Sequence, residues 1–136
     1  MTTLNSELLI DSKILRENIS YIKSKLKNQT NFMSVIKSDA YGHNLEFITK
    51  DIDDISDGYG VVRIEEAIKI RKFSDKKILL MQGVYTDADY QLARENNLDI
   101  VVHNNDQFSL IRKHNNFNNL WLKVNTGTVS YTHLTL

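Results

Sequence analysis

Residues 32–44 read Phe-Met-Ser-Val-Ile-Lys-Ser-Asp-Ala-Tyr-Gly-His-Asn, a run that sets an amine, a phenol and an imidazole close together as Lys37, Tyr41 and His43. The apolar stretch 32–36 predicts a short buried strand that stops on the lysine, and the glycine-containing turn after it leads into a helix-patterned segment. An amine fixed on a rigid element and partly removed from water can lose its proton, and so act as a nucleophile or base. The plainer reading of Lys37 is a solvated side chain at a strand end. Tyr41 is either a phenol donor or an aromatic that fills an edge. His43 is expected to pin the turn by a hydrogen bond, and His103 to sit at a strand end. Four scattered histidines without paired carboxylates predict no metal site.

The elements that must hold these groups can be read from periodicity. Residues 7–10 suggest a strand. Asp11 or Ser12 can cap a helix whose apolar positions are Ile14, Leu15, Ile19, Ile22 and Leu26. After the lysine strand, Leu45, Ile48, Ile52 and Ile55 mark a second helix, and Asp57-Gly58 turns the chain into a strand at 59–62. Helix is predicted at 65–73, strand at 77–81 and helix at 86–96. In the last of these Thr86 and Asp89 can form a capping box, flanked by a Tyr85–Tyr90 staple. Strand at 99–102, helix at 106–113 and strand at 120–124 follow. From Tyr59 onward strands begin about every 20 residues, each apolar on both faces and separated by a helix, which is a repeated parallel βα unit. Periodicity leaves open a doubly wound sheet or a barrel; in either, the carboxyl ends of the strands share one rim. That rim would gather Lys37, Arg63, Gln82, His103 and Lys123. Glu65 and Glu66 suit the first turn of a helix, near the positive end of its dipole.

Composition bounds the partners. The 136 residues are 41% hydrophobic and 25% charged, enough for one core. Seventeen basic and seventeen acidic side chains cancel, so charge argues for neither nucleic acid nor an anionic membrane as partner. No signal peptide or bilayer-spanning run is visible, and a cytoplasmic location is expected. The absence of cysteine excludes disulfides and thiolate sites.

Residues 35–44, Val-Ile-Lys-Ser-Asp-Ala-Tyr-Gly-His-Asn, resemble the cofactor-lysine motif of alanine racemases, usually Val-Val-Lys-Ala-Asn-Ala-Tyr-Gly-His-Gly. Ser38, Asp39 and Asn44 depart from it; asparagine tolerates a left-handed backbone better than most residues, so Asn44 is a mild change. The blocks Gly58-Tyr59-Gly60-Val61-Val62-Arg63-Ile64-Glu65-Glu66-Ala67, Val102-His103-Asn104 and Leu122-Lys123-Val124-Asn125-Thr126-Gly127 are similar to further family motifs, in order and at matching spacing.

The resemblance implies a parallel (β/α)8 TIM-type barrel in the α/β class. A barrel domain takes about 250 residues, so about its first half, roughly five βα units, is expected here. It implies that residues 1–11 hold a strand belonging to a carboxy-terminal β domain and that residues 12–127 form the amino-terminal part of the barrel. It also implies pyridoxal 5′-phosphate held by Lys37 as an internal aldimine, Tyr41 contacting the cofactor phosphate, and Lys123 matching a lysine that many members carbamylate and others leave as an ammonium. The expected reaction interconverts L- and D-alanine for peptidoglycan, in a homodimer whose partner subunit supplies a tyrosine as second base. Racemisation of another or several amino acids, cofactor binding without catalysis, or an inactive truncated fragment are the alternatives. Ser130 stands where the family places an arginine, and residues 128–136 resemble a non-native tail.

Overall fold

The computed structural model describes residues 7–114 and 119–124. The Ser130 position, the tail at 128–136 and the Asn125-Thr126-Gly127 part of the last motif lie outside the described residues.

Five strands, β1 (Met33–Val35), β2 (Gly58–Val61), β3 (Lys77–Leu80), β4 (Asp99–Val102) and β5 (Leu120–Leu122), form one sheet in the order of the chain. Every neighbouring pair is parallel. Between them lie α1 (Ser12–Lys25), a short turn α2 (Lys37–Tyr41), α3 (Leu45–Ile52), α4 (Ile64–Arg71), α5 (Asp87–Glu95) and α6 (Asn105–His114). The predicted elements are thus present, with ends shifted by up to three residues. Residues 7–10 are the exception, because they carry no regular structure and pair with no described strand. A strand exists only through a partner's hydrogen bonds, and no described edge reaches this segment.

Register divides the sheet into two faces. Ser34, Tyr59 and Ile78 stand in one row, and Val35, Gly60, Leu79 and Asp99 in the next. Tyr59, Val61, Ile78, Leu80 and Ile100 pack with Ile19, Ile48, Ile52, Ala67, Ile70, Tyr90 and Ala93 from the helices, which makes this the core face. Complete burial of an aliphatic side chain of this size contributes about 1.5–3 kcal/mol. On the other face a Cβ at Gly60 would lie 3.1 Å from Met81 Sδ and 3.4 Å from Val35 Cγ2, so glycine leaves room for those side chains. Asp99, 2% exposed, accepts from Trp121 Nε1 at 2.9 Å and meets Lys77 Nζ at 3.5 Å, which ties β3, β4 and β5 together.

Local signals explain the helix starts. Asp11 accepts from the Ile14 N–H at 3.0 Å and Thr86 from the Asp89 N–H at 3.1 Å. The Tyr85–Tyr90 staple takes another form. Tyr85 is exposed with its phenol 3.2 Å from His103 Nε2, while buried Tyr90 stacks on His114 with ring centroids 4.3 Å apart.

Candidate active site

The backbone that carries the site is left-handed. Ser38, Asp39, Ala40 and Tyr41 all have φ of 55–56°, and Gly42 continues at 84°. For residues with a Cβ this conformation costs about 1–2 kcal/mol each, so surrounding contacts must hold it. The Ala40 N–H donates to Ile36 O at 3.0 Å, the Gly42 N–H to Ser38 O at 3.0 Å, and the His43 N–H to Ala40 O at 3.1 Å. His43 Nδ1 also bonds Ala40 O at 2.8 Å, the pinning role expected of it. Buried Ala40 anchors the turn in the core. Asn44, at φ 68°, caps α3 by accepting from the Phe47 N–H at 3.0 Å.

Ladder bonding continues one residue past β1, where the Ile36 N–H donates to Gly60 O at 3.0 Å. Lys37 therefore leaves a fixed strand end directly into the left-handed turn. Its Nζ lies 6.0 Å from the centre of the Tyr41 ring, a distance at which cation and ring attract. Among the described residues no carboxylate forms an ion pair with Lys37. The structure thus brings Lys37 and Tyr41 together at the rim, with the lysine side chain half-buried.

The other rim residues spread along the sheet. His103 and Lys123 flank a 230 Å³ pocket at the carboxyl ends of β4 and β5, shared with Phe108 and Leu122. Lys123 thus sits at the far end of a five-strand sheet from Lys37. Arg63 precedes α4, and its backbone N–H donates to Glu66 Oε2 at 3.4 Å. Gln82 contributes its carbonyl, which accepts from Gln107 Nε2 at 2.6 Å.

Sequence reasoning missed two supports. Gln107, 1% exposed, joins Gln82 O to the His103 N–H and so fixes the loops after β3 and β4. Glu66 Oε1 accepts from the Asp39 N–H at 3.0 Å, and Asp39 Oδ1 accepts from the Leu45 N–H at 2.9 Å. A polar residue at a helical core spacing could have betrayed Gln107; nothing in the sequence marks Glu66 apart from Glu65. Among the described residues no three His, Asp or Glu side chains converge to hold a metal, and no helix is long and apolar enough to cross a membrane.

A sequentially ordered parallel βα sheet defines an α/β protein, and a lysine at its carboxyl rim stands where such folds place their sites. The family "Alanine racemase, N-terminal domain" matches residues 10–129. Alanine racemases of Mannheimia succiniciproducens and Haemophilus influenzae are 38% and 35% identical over 121 residues, covering 87% of this chain and 34% and 33% of theirs. The solved biosynthetic alanine racemase of Pseudomonas aeruginosa superposes with a TM-score of 0.76 at 27% identity, over 83% of this chain and 32% of that one. That of Acinetobacter baumannii gives 0.71 at 28%, over 78% and 31%. The chain belongs to the alanine racemase family, and its sheet is the first part of that family's barrel. It spans about a third of the length of these relatives.

Proposed function

We propose that the protein to which this chain belongs is an alanine racemase that uses pyridoxal 5′-phosphate, with Lys37 as its attachment point. The observation that carries the reading is the Lys37 amine, held beside Tyr41 by a left-handed turn in a chain of this family. The donor set suits the cofactor, since a lysine amine can bind its aldehyde carbon and a phenol can donate to its phosphate. When bound, pyridoxal 5′-phosphate supplies a conjugated ring that disperses the charge left on the substrate Cα as its proton departs.

Lys37 would serve twice: its nitrogen would hold the cofactor, and its amine would hold or return the substrate Cα proton on one face. Tyr41 orients the phosphate through its phenol. The opposite face needs a second base, which the resemblance assigns to a tyrosine of a partner subunit's carboxy-terminal domain. Lys123 is the family's carbamylation position, and an ammonium there is the alternative state. The resemblance assigns residues 12–127 to the barrel part and residues 1–11 to the segment that the family joins to its carboxy-terminal domain, and residues 128–136 resemble a non-native tail. The complete enzyme is a cytoplasmic homodimer that supplies D-alanine for peptidoglycan.

Incubation with pyridoxal 5′-phosphate, borohydride reduction and peptide mass mapping test this reading. The label is expected on Lys37 and is expected to vanish in Lys37→Ala; a label elsewhere, or one that survives the substitution, overturns it.

A further inference from the structure

We propose that Glu66 is a positioning residue for Lys37: its carboxylate, through Asp39, holds the left-handed turn that aims the amine, a role that rests on the cofactor reading above. Glu66 reaches from the first turn of α4, outside the turn it supports. Its Oε1 accepts from the Asp39 N–H at 3.0 Å, and the Asp39 carboxylate in turn accepts from the Leu45 N–H at 2.9 Å, at the start of α3. The turn is therefore suspended between two helices that both pack on the core.

Asp39 is the midpoint of that suspension, two residues after Lys37 and two before Tyr41. Whatever fixes the Asp39 peptide fixes the path between the amine and the phenol. The neighbouring carboxylate, Glu65, is exposed and makes no bond to the turn. Without Glu66 the Asp39 N–H loses its acceptor, and four left-handed residues lose one of the contacts that hold their hand. Glu66 touches neither the amine nor the phenol, so its effect on Lys37 passes through the backbone.

The test compares the chain with its Glu66→Ala, Glu66→Gln and Glu65→Ala variants. Without cofactor, amide hydrogen exchange at residues 38–42 is expected to be about tenfold faster in Glu66→Ala, the scale of one lost bond to a charged acceptor. Glu66→Gln keeps a carbonyl acceptor and is expected to restore most of the protection, while Glu65→Ala leaves it unchanged. Equal exchange in all four proteins overturns the proposal. If Glu66→Ala unfolds, as judged by circular dichroism, the unsubstituted chain and Glu66→Gln decide: an Asp39 amide that exchanges like an exposed one overturns it. Borohydride-trapped attachment at Lys37 is expected to be about tenfold slower in Glu66→Ala while the melting transition of the sheet is retained. Faster exchange with an unaltered rate of attachment denies the positioning role. Absence of label from Lys37 in the unsubstituted chain overturns the cofactor reading instead, and leaves the exchange result to decide whether Glu66 holds the turn.

Discussion

Asp57 joins three parts of the chain through one oxygen, accepting from the Phe32 N–H at 2.7 Å and from Lys23 Nζ at 3.1 Å. The Phe32 bond, with the nearby Lys23, holds its carboxyl below the ordinary range. Three residues earlier in the same loop, the Arg16 guanidinium grips Asp54 with both of its ends, at 2.7 and 2.8 Å, and lowers that carboxyl to about 2 from 3.8. A carboxyl whose folded value is depressed stabilises the fold fully above its unfolded value, and the contribution drains away as pH falls through the folded one. Resistance to urea is therefore expected to fall from pH 5 to pH 2, in the window set by 3.8 and about 2. Asp57→Asn is expected to show a shallower fall, because it has no carboxyl to titrate. The Arg16–Asp54 share, being exposed, is expected to shrink in high salt. At this scale the sequence was only partly legible. Gly42 and Asn44 announced a positive φ, but nothing about serine, alanine or tyrosine at 38, 40 and 41 signals a left-handed backbone. That hand is imposed by contacts from α3, α4 and the strand end, which lie at a distance in the sequence.

Between elements, Arg71 shows how one side chain can replace several loops' worth of backbone pairing. Its guanidinium donates to Ser74 O, Lys76 O, Asn96 O and Asn97 O at 2.8–2.9 Å, and so fastens the end of α4 to the turn before β3 and to the end of α5. Lysine cannot reproduce a planar five-donor fork. Arg71→Lys is expected to cost about 1–3 kcal/mol in chemical denaturation, the size of losing some of the bonds in a half-buried hydrogen-bond network. Strands and helices were readable because apolar residues repeat at two recognisable periods, and Asp11, Thr86 and Gly58 punctuate them. The seams between elements were not readable. Arg71 looks like any basic residue in a last helical turn, and its four acceptors are backbone carbonyls, which no side-chain pattern encodes.

On the scale of the whole molecule, β1 and β5 each pair with one strand among the described residues, and the apolar residues Leu120, Trp121 and Leu122 of β5 are exposed. Unpaired strand edges invite association with further strands. The parent polypeptide, with the rest of a barrel to close the sheet, is expected to be a dimer by light scattering and to convert either enantiomer of alanine to the racemate by chiral chromatography. Monomeric, inactive protein would count against the proposed function. The choice of barrel over open sheet came from motif resemblance, since strand periodicity is the same in both.

The strict sequence of strand neighbours also bears on how such a chain acquires structure. Each strand hydrogen-bonds to the one made just before it, so a growing polypeptide always meets its next partner already in place. Assembly can therefore advance from the amino terminus as the chain leaves the ribosome, with the free edge moving forward one βα unit at a time.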